Sequence, residues 1–268
     1  MEIALVYIVA GLSSRFGGKI KSFAKVTDNE TLIEYSLKQA LPAGFTKIIF
    51  VVGKHTEQPF REKFGNNYKG IPVYYAFQEF DTEKRDKPWG TCDALCCALN
   101  LVNEPFVIAT GDDIYGKKSF EILVNHLKTG EDVTVVRKLT DMLPETGSVN
   151  RGVFEIDEES YVKKGIEEVG INRENFKERG FEENSPMSIS IFGLHPKTLR
   201  LLNEKLEKFK EENKDSRNAE CYLNVKLSEL IQEGKIKMKL YYTPEKWLGI
   251  TNPGDELIVQ EQLKLIKK

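Results

Sequence analysis

Residues 3 to 26, IALVYIVAGLSSRFGGKIKSFAKV, limit what this chain can fold into more than any other stretch. The apolar run from Ile3 to Ala10, rich in Ile and Val and ended by Gly11, predicts a strand buried on both faces. A strand of that kind belongs in a parallel sheet covered by helices on both sides, so the fold class is α/β. Open sheets of this class bind ligands at the carboxyl ends of their strands. The residues that leave the strand suit an anion there. Ala10, Gly11, Leu12, Ser13 and Ser14 can present backbone amides, and Arg15, Lys19, Lys21 and Lys25 supply positive charge.

Two familiar phosphate loops fail on spacing. A P-loop requires G-x-x-x-x-G-K-[ST], but Phe16 stands at its second glycine and Ile20 follows Lys19. The dinucleotide pattern G-x-G-x-x-G fails because Ser13 replaces its second glycine. What remains, A-G-x-S-S-R-F-G-G-x-x-K from Ala10 to Lys21, resembles the signature of the sugar-phosphate nucleotidyltransferases. In that family an essential lysine follows the arginine by six or seven residues, and Lys21 is the match to it. The resemblance implies a nucleotide-diphospho-sugar transferase fold: a Rossmann-like, mostly parallel sheet with helices on both faces and a sugar-side insert. It also implies Arg15 and Lys21 as catalytic cations, with Ala10, Gly11, Leu12, Ser13 and Ser14 around the nucleotide.

Composition bounds the remaining classes. With 39 basic and 41 acidic residues the net charge is -2, which gives no general affinity for nucleic acid or an anionic membrane. Glu2 precedes the first apolar run, no basic leader does, and that run is too short to span a bilayer. A cytoplasmic protein is expected. Cys92, Cys96, Cys97 and Cys221 lack zinc-site spacing and read as free thiols in a reduced compartment, and His55, His126 and His195 form no metal or catalytic pattern. At 268 residues the chain reads as one nucleotidyltransferase domain, with a nucleotide-binding half to about residue 130 and a sugar-binding half beyond it.

Strand-like and helix-like runs alternate through the first half. Ile33, Leu37, Ala40 and Leu41 recur at helical spacing behind Thr31 and Glu34, stopping at Pro42-Ala43-Gly44. Residues 47–52 and 71–77 predict strands, with a helix after His55. The charged stretch 79–89, EFDTEKRDKPW, reads as a surface loop reaching over the active edge. Gly90 and Thr91 then open a helix predicted from Asp93 to Val102, a second helix N-terminus that favours anions.

The run PFVIATGDDIYG, residues 105–116, predicts a buried strand that ends in adjacent carboxylates, the arrangement a hard cation shared with a triphosphate requires. It resembles the family's G-D-x-I-Y-x-G motif, which implies Asp112 as a Mg²⁺ ligand with Asp113 beside it. Further on, Gly152, Glu167 and Ser188 match family positions that line the sugar. The ending W-L-G-I-T-N-P-G-D resembles W-x-D-V-G-T-P-E-D, with one departure: Gly249 stands where the family's second metal-binding aspartate belongs. Thr251 or Asn252 is then the substitute, and Asn252 the choice, unless Asp112 and phosphate oxygens hold the metal alone. Helices are predicted at 196–213, 219–232 and 257–266, and strands at 133–137, 151–156, 185–193 and 237–242.

The base follows from Gln78 and Gly90. A side-chain amide donates and accepts at once, which suits the edge of uracil or thymine, and the family places a glutamine and a glycine there. The implied reaction transfers a nucleotidyl group from UTP or dTTP to a sugar 1-phosphate with release of pyrophosphate. Other acceptors stay open: a non-sugar phosphate such as phosphocholine, taking a cytidylyl group, or the molybdenum cofactor. A catalytically silent regulatory subunit would be expected to lack Arg15, Lys21 or Asp112, and all three are present. Assembly into a homo-oligomer is left open.

Overall fold

The computed structural model describes residues 1–11 and 16–266. In chain order its elements are β1 (Ala4–Ile8), α1 (Leu32–Ala40), β2 (Lys47–Val52), α2 (Glu57–Phe64), β3 (Asn67–Tyr68), β4 (Ile71–Phe77), α3 (Thr91–Cys96) and β5 (Phe106–Thr110). There follow β6 (Asp113–Ile114), α4 (Lys117–Leu127), β7 (Asp132–Lys138), α5 (Leu139–Met142), β8 (Val149–Ile156), β9 (Val162–Ile171) and β10 (Pro186–Leu194). The chain closes with α6 (Pro196–Glu212), α7 (Leu223–Gln232), β11 (Met238–Tyr242), β12 (Leu248–Gly249) and α8 (Asp255–Ile266).

The main sheet runs β11-β7-β10-β5-β1-β2-β4-β3, with β8 pairing β10 and β9 pairing β8. Strand β1 lies between β2 and β5, parallel to both, as a strand apolar on both faces must. Its residues alternate between two cores. Ala4 and Val6 face α3, α6 and α7, whereas Leu5, Tyr7 and Val9 face α1, α2 and α4. Burying Leu5, Val6 and Val9 contributes about 1.5–3 kcal/mol each before the entropy of ordering is counted. Strand β10 runs antiparallel between β5 and β7, and β8 and β9 form the antiparallel insert beside it. Helix α1 starts where its capping pattern predicts, with Glu34 reaching back to the Thr31 N–H at 2.9 Å.

Three sequence expectations change. Helix α3 ends at Cys96, and a separate 3-10 turn at Leu99–Leu101 carries the apolar spacing onward to Val102. Helix α7 starts at Leu223 instead of Ala219 because the Cys221 backbone is already used: its N–H donates to Trp89 O at 2.6 Å and its carbonyl accepts from Cys92 at 3.0 Å. Segment 79–89 is no free loop. Arg85, 4% exposed, donates to the carbonyls of Ser216 (2.7 Å) and Ala219 (2.5 Å), and its guanidinium lies over the Trp89 ring. Lys87–Glu220 and Arg217–Asp86 pairs tie the same two segments together. A charged stretch reads as solvated when partners 130 residues away are not visible.

Candidate active site

Register brings the two strong motifs to one edge. Ile8, the last residue of β1, lies beside Thr110, the last of β5, so the chain leaving each strand does so at the same level. Gly111 allows the closest approach: a Cβ there would stand 2.4 Å from Val9 Cγ1 and 2.8 Å from Ser22 Oγ. The Gly111 N–H also donates to Ile8 O at 3.0 Å. Lys21 opens a single 3-10 turn, Lys21–Phe23, and its Nζ comes within 3.5 Å of Asp112 Oδ2. Leu12, Ser13, Ser14 and Arg15 lie outside the described residues.

Asp112 and Asp113 differ in surroundings. Asp112 keeps 39% of its side chain exposed beside Lys21, in a cavity of about 250 Å³ that Gly11, Thr91 and Thr110 also line. Asp113 turns inward, where its Oδ2 accepts from Thr110 Oγ1 at 2.6 Å and from Tyr115 OH at 3.2 Å. Burial, reinforced by the charge of Asp112, pushes its carboxyl up to about 7. Strand β12 pairs Gly249 with Asp113. A Cβ on Gly249 would stand 2.4 Å from Asp113 Oδ1 and 2.7 Å from the Trp247 ring, so any side chain at 249 would have to displace one or both of these groups. Asn252 lines a different cavity, with Trp247, Gly249 and Arg151, and its N–H donates to Asp255 Oδ2 at 2.7 Å. No cluster of three or more His, Cys, Asp or Glu side chains suited to a metal forms among the described residues.

A cavity of about 400 Å³ adjoins this site at Ala10 and contains Gln78 and Pro88. Gln78 Nε2 donates to Asp93 Oδ2 at 2.8 Å and to Gly90 O at 3.2 Å. The expectation that this amide donates and accepts toward a base is thereby corrected: both N–H bonds are spent, and only Oε1 remains for a ligand. Asp93, 4% exposed, is held in turn by Lys210 Nζ at 2.7 Å. Gly90 has φ +99°, and a Cβ there would meet Cys221 N at 2.9 Å, so the turn before α3 requires glycine.

On the other side lies a third cavity, of about 140 Å³, which shares Ile8, Thr91 and Thr110 with the Lys21–Asp112 cavity. It gathers the three sugar-side residues expected from sequence, Gly152, Glu167 and Ser188. Asn224 donates to Glu167 Oε2, and Ser188 Oγ accepts from the Ser190 N–H at 3.1 Å. Arg151, Ser190 and Asn224 were not anticipated in this cavity. Ser190 is a non-glycine residue at φ +59°, beside a register shift in β10. Only Arg151, next to Gly152 in the sequence, carried a legible signal.

A model of the nucleotidyl transferase family matches residues 18–219. The chain belongs to that family. Nucleotidyl transfer is therefore its reaction class. UTP-glucose-1-phosphate uridylyltransferase of Staphylococcus epidermidis is 25% identical over 210 residues, covering 69% of this chain and 67% of that protein. UTP-glucose-1-phosphate uridylyltransferase 2 of Staphylococcus saprophyticus is 26% identical over the same shares. UDP-glucose pyrophosphorylase complexed with UDP-glucose superposes with a TM-score of 0.69 at 17% identity, covering 99% of this chain and 100% of that one. The inositol-1-phosphate CTP transferase from T. maritima superposes with a TM-score of 0.67 at 16% identity, covering 100% and 97%. These likenesses establish the nucleotide-diphospho-sugar transferase fold. No helix among the described residues is long and apolar enough to cross a membrane.

Proposed function

We propose that this member of the family transfers a uridylyl or thymidylyl group from UTP or dTTP to a sugar 1-phosphate, releasing pyrophosphate. The observation that carries the reading is the position of the Lys21–Asp112 pair, between the Gln78 cavity and the hydroxyl-lined Glu167 cavity. Base, triphosphate and acceptor then lie in that order along the sheet edge. An acceptor oxygen attacks the α-phosphorus while the bond to the pyrophosphate oxygen breaks, so no enzyme-bound intermediate is needed. The obstacle is charge: two unit charges about 4 Å apart repel by about 4 kcal/mol at an effective dielectric of about 20, and several must meet. Lys21 offsets that repulsion and charge developing on the leaving group, with Arg15 as its expected partner.

The residues fit a magnesium ion. Asp112 offers a hard, partly exposed carboxylate whose cationic partner among the described residues, Lys21, sits at 3.5 Å. Mg²⁺ is commonly held by one or two carboxylates plus substrate phosphates. When bound, the ion would neutralise the triphosphate and polarise it toward attack. Asp112 is the protein ligand in this reading. Asp113 braces the loop through Thr110 and Tyr115, and Asn252, in the neighbouring cavity, is the second candidate ligand.

Base choice follows from the locked amide. Oε1 of Gln78 can accept the N3–H of uracil or thymine, whereas cytosine presents an acceptor at N3. Asp93→Asn, which lets Gln78 turn either way, is expected to lower the preference for UTP or dTTP over CTP by about tenfold in kcat/KM, and Gln78→Ala to do the same. An unchanged ratio in both variants would remove this network from base selection. The reaction itself is tested by pyrophosphate release with UTP, dTTP, CTP, GTP and ATP against hexose 1-phosphates and phosphocholine. Turnover confined to phosphocholine, or led by a purine triphosphate, would replace the reading.

A further inference from the structure

Arg151 and Glu167 are the two charged residues lining the acceptor cavity, and their situations differ. Glu167 is partnered by Asn224. Arg151 is half-buried, and among the described residues its guanidinium makes neither a hydrogen bond nor an ion pair; it lies over the Trp247 indole, 4.7 Å from the ring centre. Its cross-strand neighbour Glu168 is engaged by Arg179 at 2.9 Å. The two other described arginines that are not exposed, Arg85 and Arg137, both donate to backbone carbonyls. The Asp113 carboxyl feels the Arg151 charge through space, with no hydrogen bond between the two among the described residues, and a half-buried guanidinium whose N–H groups are unmet gains from an anion that meets them.

We propose that Arg151 binds the phosphate group of the acceptor and points its attacking oxygen toward the Lys21–Asp112 pair. The inference rests on the sugar-phosphate reading of the third cavity. The Trp247 ring supports the guanidinium from one side, and its N–H groups, without a hydrogen-bond partner among the described residues, can meet two phosphate oxygens at once. Thr110 lines this cavity and the Lys21–Asp112 cavity, so a phosphate at its mouth adjoins the site of attack. With a second pKa of about 6 the acceptor phosphate is largely dianionic at neutral pH, and no base has to take a proton from it. One of its oxygens bonds to the α-phosphorus, and the electron pair of the broken bond leaves with pyrophosphate. Arg151 thus serves the acceptor's charge, and Lys21 and the metal the triphosphate's.

Steady-state kinetics with hexose 1-phosphates and calorimetry with inorganic phosphate test this. Arg151→Gln is expected to raise the acceptor KM by about tenfold or more, the loss associated with a charged hydrogen bond, with the triphosphate KM within about twofold of wild type. Arg151→Lys, which keeps the charge and loses the fork, should fall between. Inorganic phosphate should bind the wild-type protein and bind Arg151→Gln at least about tenfold more weakly. An unchanged acceptor KM and unchanged phosphate binding in Arg151→Gln would overturn the proposal. So would equal rises in both KM values, the mark of a residue that only supports Trp247. If the wild-type protein used no hexose 1-phosphate yet bound phosphate through Arg151, the anion site would stand and the acceptor reading would fall.

Discussion

Lys21→Ala is expected to lower kcat by at least about a hundredfold, the size associated with losing one electrostatic stabiliser of the transition state. Lys21 sits on a short turn behind the first strand, and its ammonium faces Asp112 at 3.5 Å with 20% of its side chain exposed. A pair so placed contributes about 0–1 kcal/mol to stability, so the variant should fold with a nearly unchanged urea midpoint. Loss of turnover in a folded protein would then report on chemistry. The triphosphate KM should move less than kcat, because charge on the leaving pyrophosphate is greatest at the transition state. Arg15→Ala is the companion measurement. Near wild-type kcat in Lys21→Ala would mean that another cation serves the α-phosphorus, and the motif match at Lys21 would have to be abandoned.

Asp112→Asn is the second large effect. The amide keeps the shape of the carboxylate and removes its charge, so a hard cation loses the ligand with the strongest claim on it. Activity at ordinary Mg²⁺ should fall by about a hundredfold and recover in part as Mg²⁺ is raised, since occupancy lost through affinity returns by mass action. The metal-binding isotherm of the protein with triphosphate should shift to weaker affinity in parallel. Asp113→Asn should be milder, because its Oδ2 takes hydrogen bonds from Thr110 and Tyr115 that an amide oxygen can also accept. A reversed order, with Asp113→Asn the more severe and the more dependent on metal, would show that the carboxylate motif is shifted by one residue.

Patterns carried by neighbours along the chain were readable without a structure. The run Ile3–Ala10 has no polar residue to offer solvent, which already places it between two layers of helices, and strand β1 is buried accordingly. The Ala10–Lys21 and 108–116 segments carry their chemistry in consecutive residues, as does the start of α1 at Thr31 and Glu34. Where side chains from distant segments meet, the sequence was silent. Nothing local distinguishes Arg85, buried against Ser216 and Ala219, from the exposed charges around it. Gln78 looked free to donate until Asp93 and Gly90 appeared across its amide. That Gly249 lies against the Asp113 carboxyl was equally hidden, because the contact depends on the β6–β12 register. The same holds for Arg151 on Trp247, which joins residues nearly a hundred positions apart. Periodicity and short motifs report the conformational preferences of adjacent residues, whereas the direction of a hydrogen bond or the partner of a charge depends on which strands pair, and in what register. Tertiary packing alone decided those.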